Sequence, residues 1–136
     1  MRIAIASPIS LRQLADLLDE PAEVPAGQGA ISPLPEVRAL IARGHEVSLV
    51  TLDPDLTREA VLRGDRLTIH VGPFRDRHAA RDGFRIERQF VAETLLRCQP
   101  DVVHAHWTYE YALGAFCSKP GAAGPWSMFS SERMVR

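Results

Sequence analysis

Two histidines, His104 and His106, have the residue type and spacing of functional side chains. They lie two residues apart in a segment typical of a β-strand, so both side chains point to the same face. Three interpretations follow: a metal-binding pair, two structural histidines, or a polar strand end that faces a substrate cleft. Two imidazoles without a third nearby ligand make a poor zinc site, so we expect no metal and favour the cleft.

Aromatic and acidic residues follow these histidines directly. Trp107, Tyr109 and Tyr111 offer aromatic faces, which suit the apolar C–H faces of sugar rings. Packing against a sheet is the ordinary role of such residues and stays open as the alternative. Glu110 would either complement the dipole of a helix that begins here or bind a hydroxyl in the cleft.

A pair of glycines, Gly27 and Gly29, precedes a predicted helix, where backbone amides could approach a phosphate or a sugar closely. The pair lacks the G-x-G-x-x-G spacing and lies well beyond the end of the first predicted strand. A flexible loop that needs glycine for positive φ explains it as well. The sequence contains neither a G-x-S-x-G serine motif nor a P-loop.

The composition limits the class of protein. The chain has 136 residues, 16 Lys and Arg against 17 Asp and Glu, and 46% hydrophobic residues, which is typical of one globular domain. The near-neutral charge argues against a nucleic-acid binder. Cys98 and Cys117 are expected as reduced thiols. The apolar start ends at Pro8, too early for a signal peptide, and no apolar run could span a membrane, so we expect a cytoplasmic protein.

The elements that must position these residues alternate along the chain. Strand patterns cover residues 3–6, 45–51, 67–71 and 101–107, helix patterns cover 10–19, 35–43, 84–98 and 108–118, and one or two helical turns are predicted over 56–63. This alternation predicts an α/β fold with a parallel sheet and right-handed crossovers. Ligands of such sheets bind at the carboxyl ends of the strands, which indicates the loop after the first strand, Thr51 and residues 106–108.

The last two helices have predicted buried faces. For residues 84–98 that face consists of Ile86, Phe90, Val91, Leu95 and Cys98. For residues 108–118 it consists of Tyr109, Ala112, Leu113 and Phe116, with Thr108 as the N-cap.

Arginines are frequent between residues 75 and 97. They are Arg75, Arg77, Arg81, Arg85, Arg88 and Arg97. Four acidic residues offset most of this charge, so we favour a solvated surface. The alternative is a patch that meets anionic lipids at a membrane surface.

Three features together resemble one protein family. They are the Pro/Gly-rich loop after the first strand, the phrase RGHEV at residues 43–47 before LVT at 49–51, and PDVVHAHW at residues 100–107. Residues 1–118 resemble the amino-terminal half of a family 4 glycosyltransferase of GT-B architecture. The resemblance implies a Rossmann-like, doubly wound parallel sheet of about four to five strands, which is one of two domains that face each other across a cleft.

The resemblance also implies an activity. It is that of a retaining enzyme that moves a glycosyl group from a nucleotide sugar to a sugar or lipid-linked acceptor, with no metal or other cofactor. This domain would bind the acceptor. His106 would be catalytic, and His104, Trp107 and Glu110 would bind the acceptor.

Two further implications concern the donor and the membrane. Gly27 and Gly29 match the family's loop that approaches the donor phosphates across the cleft. The arginine-rich region resembles the surface by which some members dock peripherally at the inner face of a membrane.

The chain departs from the family after residue 118. Residues 119–136 match nothing in the pattern and are interpreted as an atypical tail left by truncation or a frame change. The family's donor half, with its basic pair for the leaving diphosphate, is missing, so we expect no useful turnover from this chain alone. Two alternatives stay open: a free-standing Rossmann-like module that binds a nucleotide or sugar, and a subunit completed by a separately encoded donor-domain chain.

Overall fold

A computed structural model describes residues 1–118, so the tail predicted at 119–136 lies outside the described residues. The strands and α-helices are β1 (Arg2–Ala6), α1 (Leu34–Ala42), β2 (Glu46–Asp53), β3 (Ala60–Arg63), β4 (Leu67–Pro73), α2 (Arg85–Cys98), β5 (Val102–Ala105) and α3 (Leu113–Cys117). Short 3-10 helices cover Leu11–Leu17, Pro21–Glu23 and Ala79–Asp82, and a π-helical turn covers Thr108–Ala112. Within residues 1–118, no helix is both long and apolar enough to cross a bilayer.

The five strands form one sheet in the order β3-β4-β2-β1-β5. The pairs β4·β2, β2·β1 and β1·β5 are parallel, and β3 runs antiparallel to β4 at the edge. When only the parallel strands are counted, their order is 3-2-1-4, which is that of a Rossmann-like sheet. The prediction of a doubly wound α/β fold is therefore confirmed, and the strand order reverses between β1 and β5.

Hydrophobic cores lie on both faces of the sheet. On one face, Ile5 and Leu49 pack with Val37 of α1 and with Leu11 of the first 3-10 helix. On the other face, buried residues from β1, β2 and β5 pack with α2 and α3; they are Ala4, Ala6, Val50, Val91, Leu95, Val103, Ala105 and Ala115. Strands covered on both sides have near-continuous apolar sequences, which is why residues 3–6 were recognisable as a buried strand.

The prediction of helical turns over residues 56–63 is wrong, because Ala60–Arg63 forms strand β3. Leu62 lies opposite Ile69 of β4, and Val61 is 48% exposed. The backbone of this short segment pairs with the open edge of β4. Such a partner is not visible in a local pattern of four residues, half of which face solvent.

The predicted buried faces of the last two helices also need correction. Ile86 is 46% exposed, whereas its neighbour Glu87 is fully buried. In the final segment Tyr109, Leu113 and Phe116 are exposed, and the buried residues are Glu110, Tyr111, Ala112, Gly114, Ala115 and Ser118. Thr108 does not cap the helix, since the N-cap position belongs to Trp107 and lacks a side-chain hydrogen bond.

Close packing between α2 and α3 explains the reversed face of the last helix. A Cβ on Gly114 would lie 2.7 Å from the Cβ of Val91, so the helices approach more closely than larger residues allow. The small residues of α3 therefore face inward, and the large ones face solvent. The preceding π-helical turn changes the phase of the side chains, which a regular 3.6-residue period does not anticipate.

Part of the arginine-rich region forms an ion-pair cluster. Arg75 donates hydrogen bonds to both carboxylate oxygens of Glu87, at 2.9 and 2.8 Å, and to both of Asp82, at 3.0 Å. Its backbone N–H also donates to Glu87. Arg75 is thus a structural residue, whereas Arg77, Arg81 and Arg85 are exposed.

Candidate functional site

A cavity of about 490 Å³ lies where the strand order reverses, at the carboxyl ends of β1 and β5. Its volume is within the range of small-molecule binding sites. It is lined by Pro8, Gln28, Gly29, Ala30, Phe74, Phe84, Trp107, Tyr109 and Glu110. The segments after β1, β4 and β5 thus build one site, in the position expected for ligands of an open parallel sheet.

Trp107 has an unusual backbone conformation at the point where β5 leads into this cavity. Its φ is 75° and its ψ is 144°, a region that bulky L-residues rarely adopt. The π-helical turn Thr108–Ala112 follows immediately, and such turns are frequent at functional sites. Together these two irregularities bring Trp107, Tyr109 and Glu110 to the cavity wall.

Glu110 is a buried acid in that wall. It is only 4% exposed, and its Oε2 has no hydrogen-bond partner among the described residues. Burial raises the pKa of Glu110 above its ordinary value of 4.5, and the charge of nearby Glu87 raises it further. An unpaired buried oxygen is costly unless a ligand satisfies it, so Glu110 is suited to accept a hydrogen bond from a ligand hydroxyl.

Aromatic rings form an apolar wall in the same cavity as the polar Glu110. Phe74 and Phe84 stack with centroids 6.4 Å apart, and the rings of Phe84 and Tyr109 are 5.5 Å apart. An aromatic wall beside a hydrogen-bond acceptor fits a ligand with an apolar face and hydroxyl groups. Sequence reasoning missed both phenylalanines as site residues. Phe74 directly follows β4, which extends to Pro73 and so ends later than the predicted strand at residues 67–71.

Tyr111 anchors the long first loop to the sheet. Its hydroxyl accepts a hydrogen bond from the backbone N–H of Leu52, at 3.2 Å, and donates to the side-chain oxygen of Gln28. Burial raises the pKa of Tyr111, so the hydroxyl keeps the proton that it donates. Because Gln28 lines the cavity, this contact also positions one cavity wall.

Tyr111→Phe should therefore lower the free energy of unfolding by about 1–2 kcal/mol, because one buried and one partly buried hydrogen bond are lost. Urea denaturation at neutral pH measures the change. Tyr109→Phe is the matched control: Tyr109 is 41% exposed, and its variant should stay within about 0.5 kcal/mol of the parent. Equal stabilities of the two variants would contradict an anchoring role for Tyr111.

The two glycines predicted at the donor-phosphate loop lie in different surroundings. The N–H of Gly27 donates to Oδ2 of Asp53 at 2.8 Å, and a Cβ on Gly27 would lie 2.3 Å from the carbonyl oxygen of Ile9. Gly29 is exposed and borders the cavity, with open space around it. In this arrangement only Gly29 offers backbone to a ligand, and the donor-phosphate role of the pair stays a prediction.

His104 and His106 share one partner that the sequence did not suggest. Glu36, in the first turn of α1, contacts Nδ1 of His104 with one carboxylate oxygen and Nε2 of His106 with the other, the latter at 2.8 Å. Burial opposes ionisation, but the hydrogen bonds from the two imidazoles outweigh it and lower the pKa of Glu36 to about 2. The sequence signal for Glu36 was absent, since about 70 residues separate it from the histidines.

The structure thus brings together some of the predicted site residues and separates others. Trp107 and Glu110 line the cavity with Gly29, whereas the cavity lining within residues 1–118 includes neither histidine. The catalytic role of His106 and the acceptor-binding role of His104 stay predictions. Membrane docking stays a prediction as well, with Arg77, Arg81, Arg85 and Arg97 as the exposed arginines that it would use.

A model of Glycosyltransferase Family 4 matches residues 36–123, well over half of the chain. The match begins in α1 and includes the segment from β5 to α3 that carries Trp107 and Glu110. No curated protein and no solved structure matches the chain. The Rossmann-like sheet, the cavity at its switch point and the family match agree, and the chain belongs to glycosyltransferase family 4.

Proposed function

We propose that this domain binds the acceptor of a retaining glycosyl transfer, and that the acceptor is a sugar or a lipid-linked sugar held in the cavity. The observation that carries the proposal is Glu110, a buried acid beside an aromatic wall whose Oε2 has no hydrogen-bond partner within residues 1–118. Sugar rings need this combination, because their C–H faces are apolar while their hydroxyls need acceptors. The polar atoms of Gln28 and the open backbone at Gly29 add further hydrogen-bonding positions.

The donor would be a nucleotide sugar bound by a second domain that faces this cavity. Transfer of a glycosyl group to an acceptor leaves a negatively charged nucleotide diphosphate, which requires preorganised positive charge. The residues that line the cavity include no Lys or Arg among the described part of the chain. We therefore expect the chain alone to bind acceptor without turnover.

Acceptor binding can be tested with Trp107 as the reporter. The chain has two tryptophans, so Trp126→Phe leaves Trp107 as the only one. Methyl and octyl glycosides of glucose, mannose, galactose and N-acetylglucosamine would be titrated while the fluorescence is followed. We expect saturable changes with at least one glycoside, and larger affinity for the octyl form if the acceptor is lipid-linked, because the aromatic wall can bind an alkyl chain.

The same titration distinguishes the rival functions. UDP- and GDP-sugars should leave the fluorescence unchanged, since the proposed donor site belongs to the second domain and not to this one. Tight nucleotide-sugar binding without glycoside binding would instead favour a free-standing nucleotide-binding module. Product formation by the isolated chain from a nucleotide sugar and a glycoside would contradict the division of roles between two domains.

A further inference from the structure

A second cluster of side chains lies outside the cavity, where α1 meets the end of β5. Glu36 projects from the first turn of α1, and His104 and His106 project from one face of the segment that begins with β5. The two imidazole rings lie side by side, with centroids 4.1 Å apart. One ligand atom from each of the three side chains, a carboxylate oxygen and a ring nitrogen of each histidine, lies within 4.8 Å of the other two.

These atoms are a donor set for a transition metal. Imidazole nitrogens suit zinc and its neighbours in the first transition row, whereas hard ions such as Mg²⁺ prefer oxygen alone. Around a tetrahedral zinc ion with bonds of about 2.1 Å, neighbouring ligand atoms lie roughly 3.4 Å apart. The ligand atoms of the three side chains are separated by distances that range from a hydrogen-bond contact up to 4.8 Å, and this range includes the tetrahedral separation. Small side-chain movements would therefore be enough to form the tetrahedral geometry.

The cluster is also accessible and incomplete in the way that a metal site requires. The side chains of Glu36, His104 and His106 are 29%, 21% and 13% exposed, so an ion can reach them from solvent. Three protein ligands leave a fourth tetrahedral position for water. The carboxylate already bridges the two rings. An ion bound to the facing ring nitrogens would displace the protons that lie between the rings and the carboxylate, and these protons would move to the other ring nitrogen or to solvent.

We propose that Glu36, His104 and His106 form a binding site for a divalent transition metal of the zinc type. The ion would bind residues that lie about 70 positions apart in the sequence. It would thereby link α1 to the end of β5, just before Trp107. Because such a site does not exist in the unfolded chain, metal binding would stabilise the folded domain. This site differs from the acceptor cavity, and it predicts a structural role for His106 instead of proton transfer.

Binding would be measured with Zn²⁺ by calorimetry and with Co²⁺ by visible absorption, on the full chain at neutral pH. We expect one ion per chain, and a Co²⁺ spectrum without the thiolate-to-metal band that ligation by Cys98 or Cys117 would give. Zn²⁺ should raise the melting temperature, and Mg²⁺ at the same concentration should leave it unchanged.

The variants assign the ligands. Glu36→Gln and the double variant His104→Asn, His106→Asn should each weaken Zn²⁺ at least about tenfold and lose the thermal shift. His78→Asn removes an exposed histidine, and Cys98→Ser removes the thiol that contacts His70 at 3.5 Å; both should keep the affinity of the parent. Circular dichroism checks that each variant is folded, and the Co²⁺ spectrum of the unaltered chain tests the site if one is not.

Three results would overturn the proposal. They are the absence of stoichiometric Zn²⁺ and Co²⁺ binding by the unaltered chain, a thiolate band in its Co²⁺ spectrum, and full affinity in the folded Glu36→Gln and double-histidine variants. Any of them would leave the cluster as a hydrogen-bonded link between α1 and β5. None of them bears on glycoside binding in the cavity, since its lining within residues 1–118 includes none of these three side chains.

Discussion

Glu110→Gln should make the domain more stable at neutral pH and, at the same time, a weaker glycoside binder. The buried carboxylate has a raised pKa, so ionising it in the folded state costs free energy that the unfolded chain does not pay. Glutamine removes this cost. It also replaces a charged acceptor by a neutral one, which should weaken binding of the glycoside found with the Trp107 reporter by about 10- to 100-fold.

The pH dependence separates the charge effect from a packing effect. Because the pKa of Glu110 is raised in the folded state, the unfolded chain ionises first as the pH rises, near the ordinary value of 4.5. The parent and Glu110→Gln should therefore have similar stabilities below this pH and diverge above it, as urea denaturation at pH 4 and pH 7.5 would measure. Glu46→Gln alters an exposed acid and should change neither property.

A Glu110→Gln variant with unchanged glycoside affinity would remove Glu110 from the acceptor site. A variant less stable than the parent at pH 7.5 would contradict the burial argument. Gain of stability with loss of binding is the combination expected of a side chain kept for function.

Among the proposed variants, Arg75→Gln should lose the most stability at neutral pH. We expect its urea midpoint to fall by about 1 M relative to the parent. Glu87 is fully buried and depends on Arg75 for its hydrogen bonds. Burial alone would raise the pKa of Glu87, but the hydrogen bonds from Arg75 outweigh it and hold the pKa below 4.5. Removing the guanidinium therefore leaves a buried carboxylate without its cation.

The sign of the pH dependence should reverse between the two proteins. In the parent, Glu87 and Asp82 have lowered pKa values, about 2 for Asp82, so their contribution is complete above about pH 4.5 and is lost as the pH falls toward 2. In Arg75→Gln burial would raise the pKa of Glu87, so stability would fall as the pH rises above 4.5.

Urea denaturation at pH 3, 4.5 and 7 measures this difference. Arg77→Gln is the matched control, because Arg77 is an exposed arginine two residues away. It should follow the parent at all three pH values. If the free energies of unfolding of the parent and Arg75→Gln differed by the same amount at all three pH values, the arginine would act by packing and not through the charges of Glu87 and Asp82.

Local sequence patterns were sufficient to predict the elements whose burial is strong and regular. Strand β1 and helix α2 have apolar residues at the periods of a buried strand and a surface helix, and the structure has both within a residue or two of the predicted ends. Prediction failed for β3, whose partner β4 supplies the pairing, and for α3, whose inward face is set by contact with α2. In both cases the deciding interaction joins separate elements.

The candidate site divides in the same way. Trp107 and Glu110 were identifiable because they follow directly from a strand whose carboxyl end must meet the binding edge of the sheet. The positions of the two cavity phenylalanines, and the hydrogen bond between Tyr111 and Gln28, depend on loops of irregular backbone. Hydrophobic periodicity carries no information about such contacts.

The sequence by itself determined the parallel strands and the longer helices in their order, the family, and the edge of the sheet where the cavity lies. Each of these depends on short-range patterns and on the geometry of parallel strands. Only the tertiary structure decided that Glu36 joins the two histidines, and that Glu110 is buried in an aromatic cavity with one oxygen unpaired among the described residues. The physical reason is that burial and pairing arise between segments tens of residues apart, whose approach is decided by the packing of the whole domain.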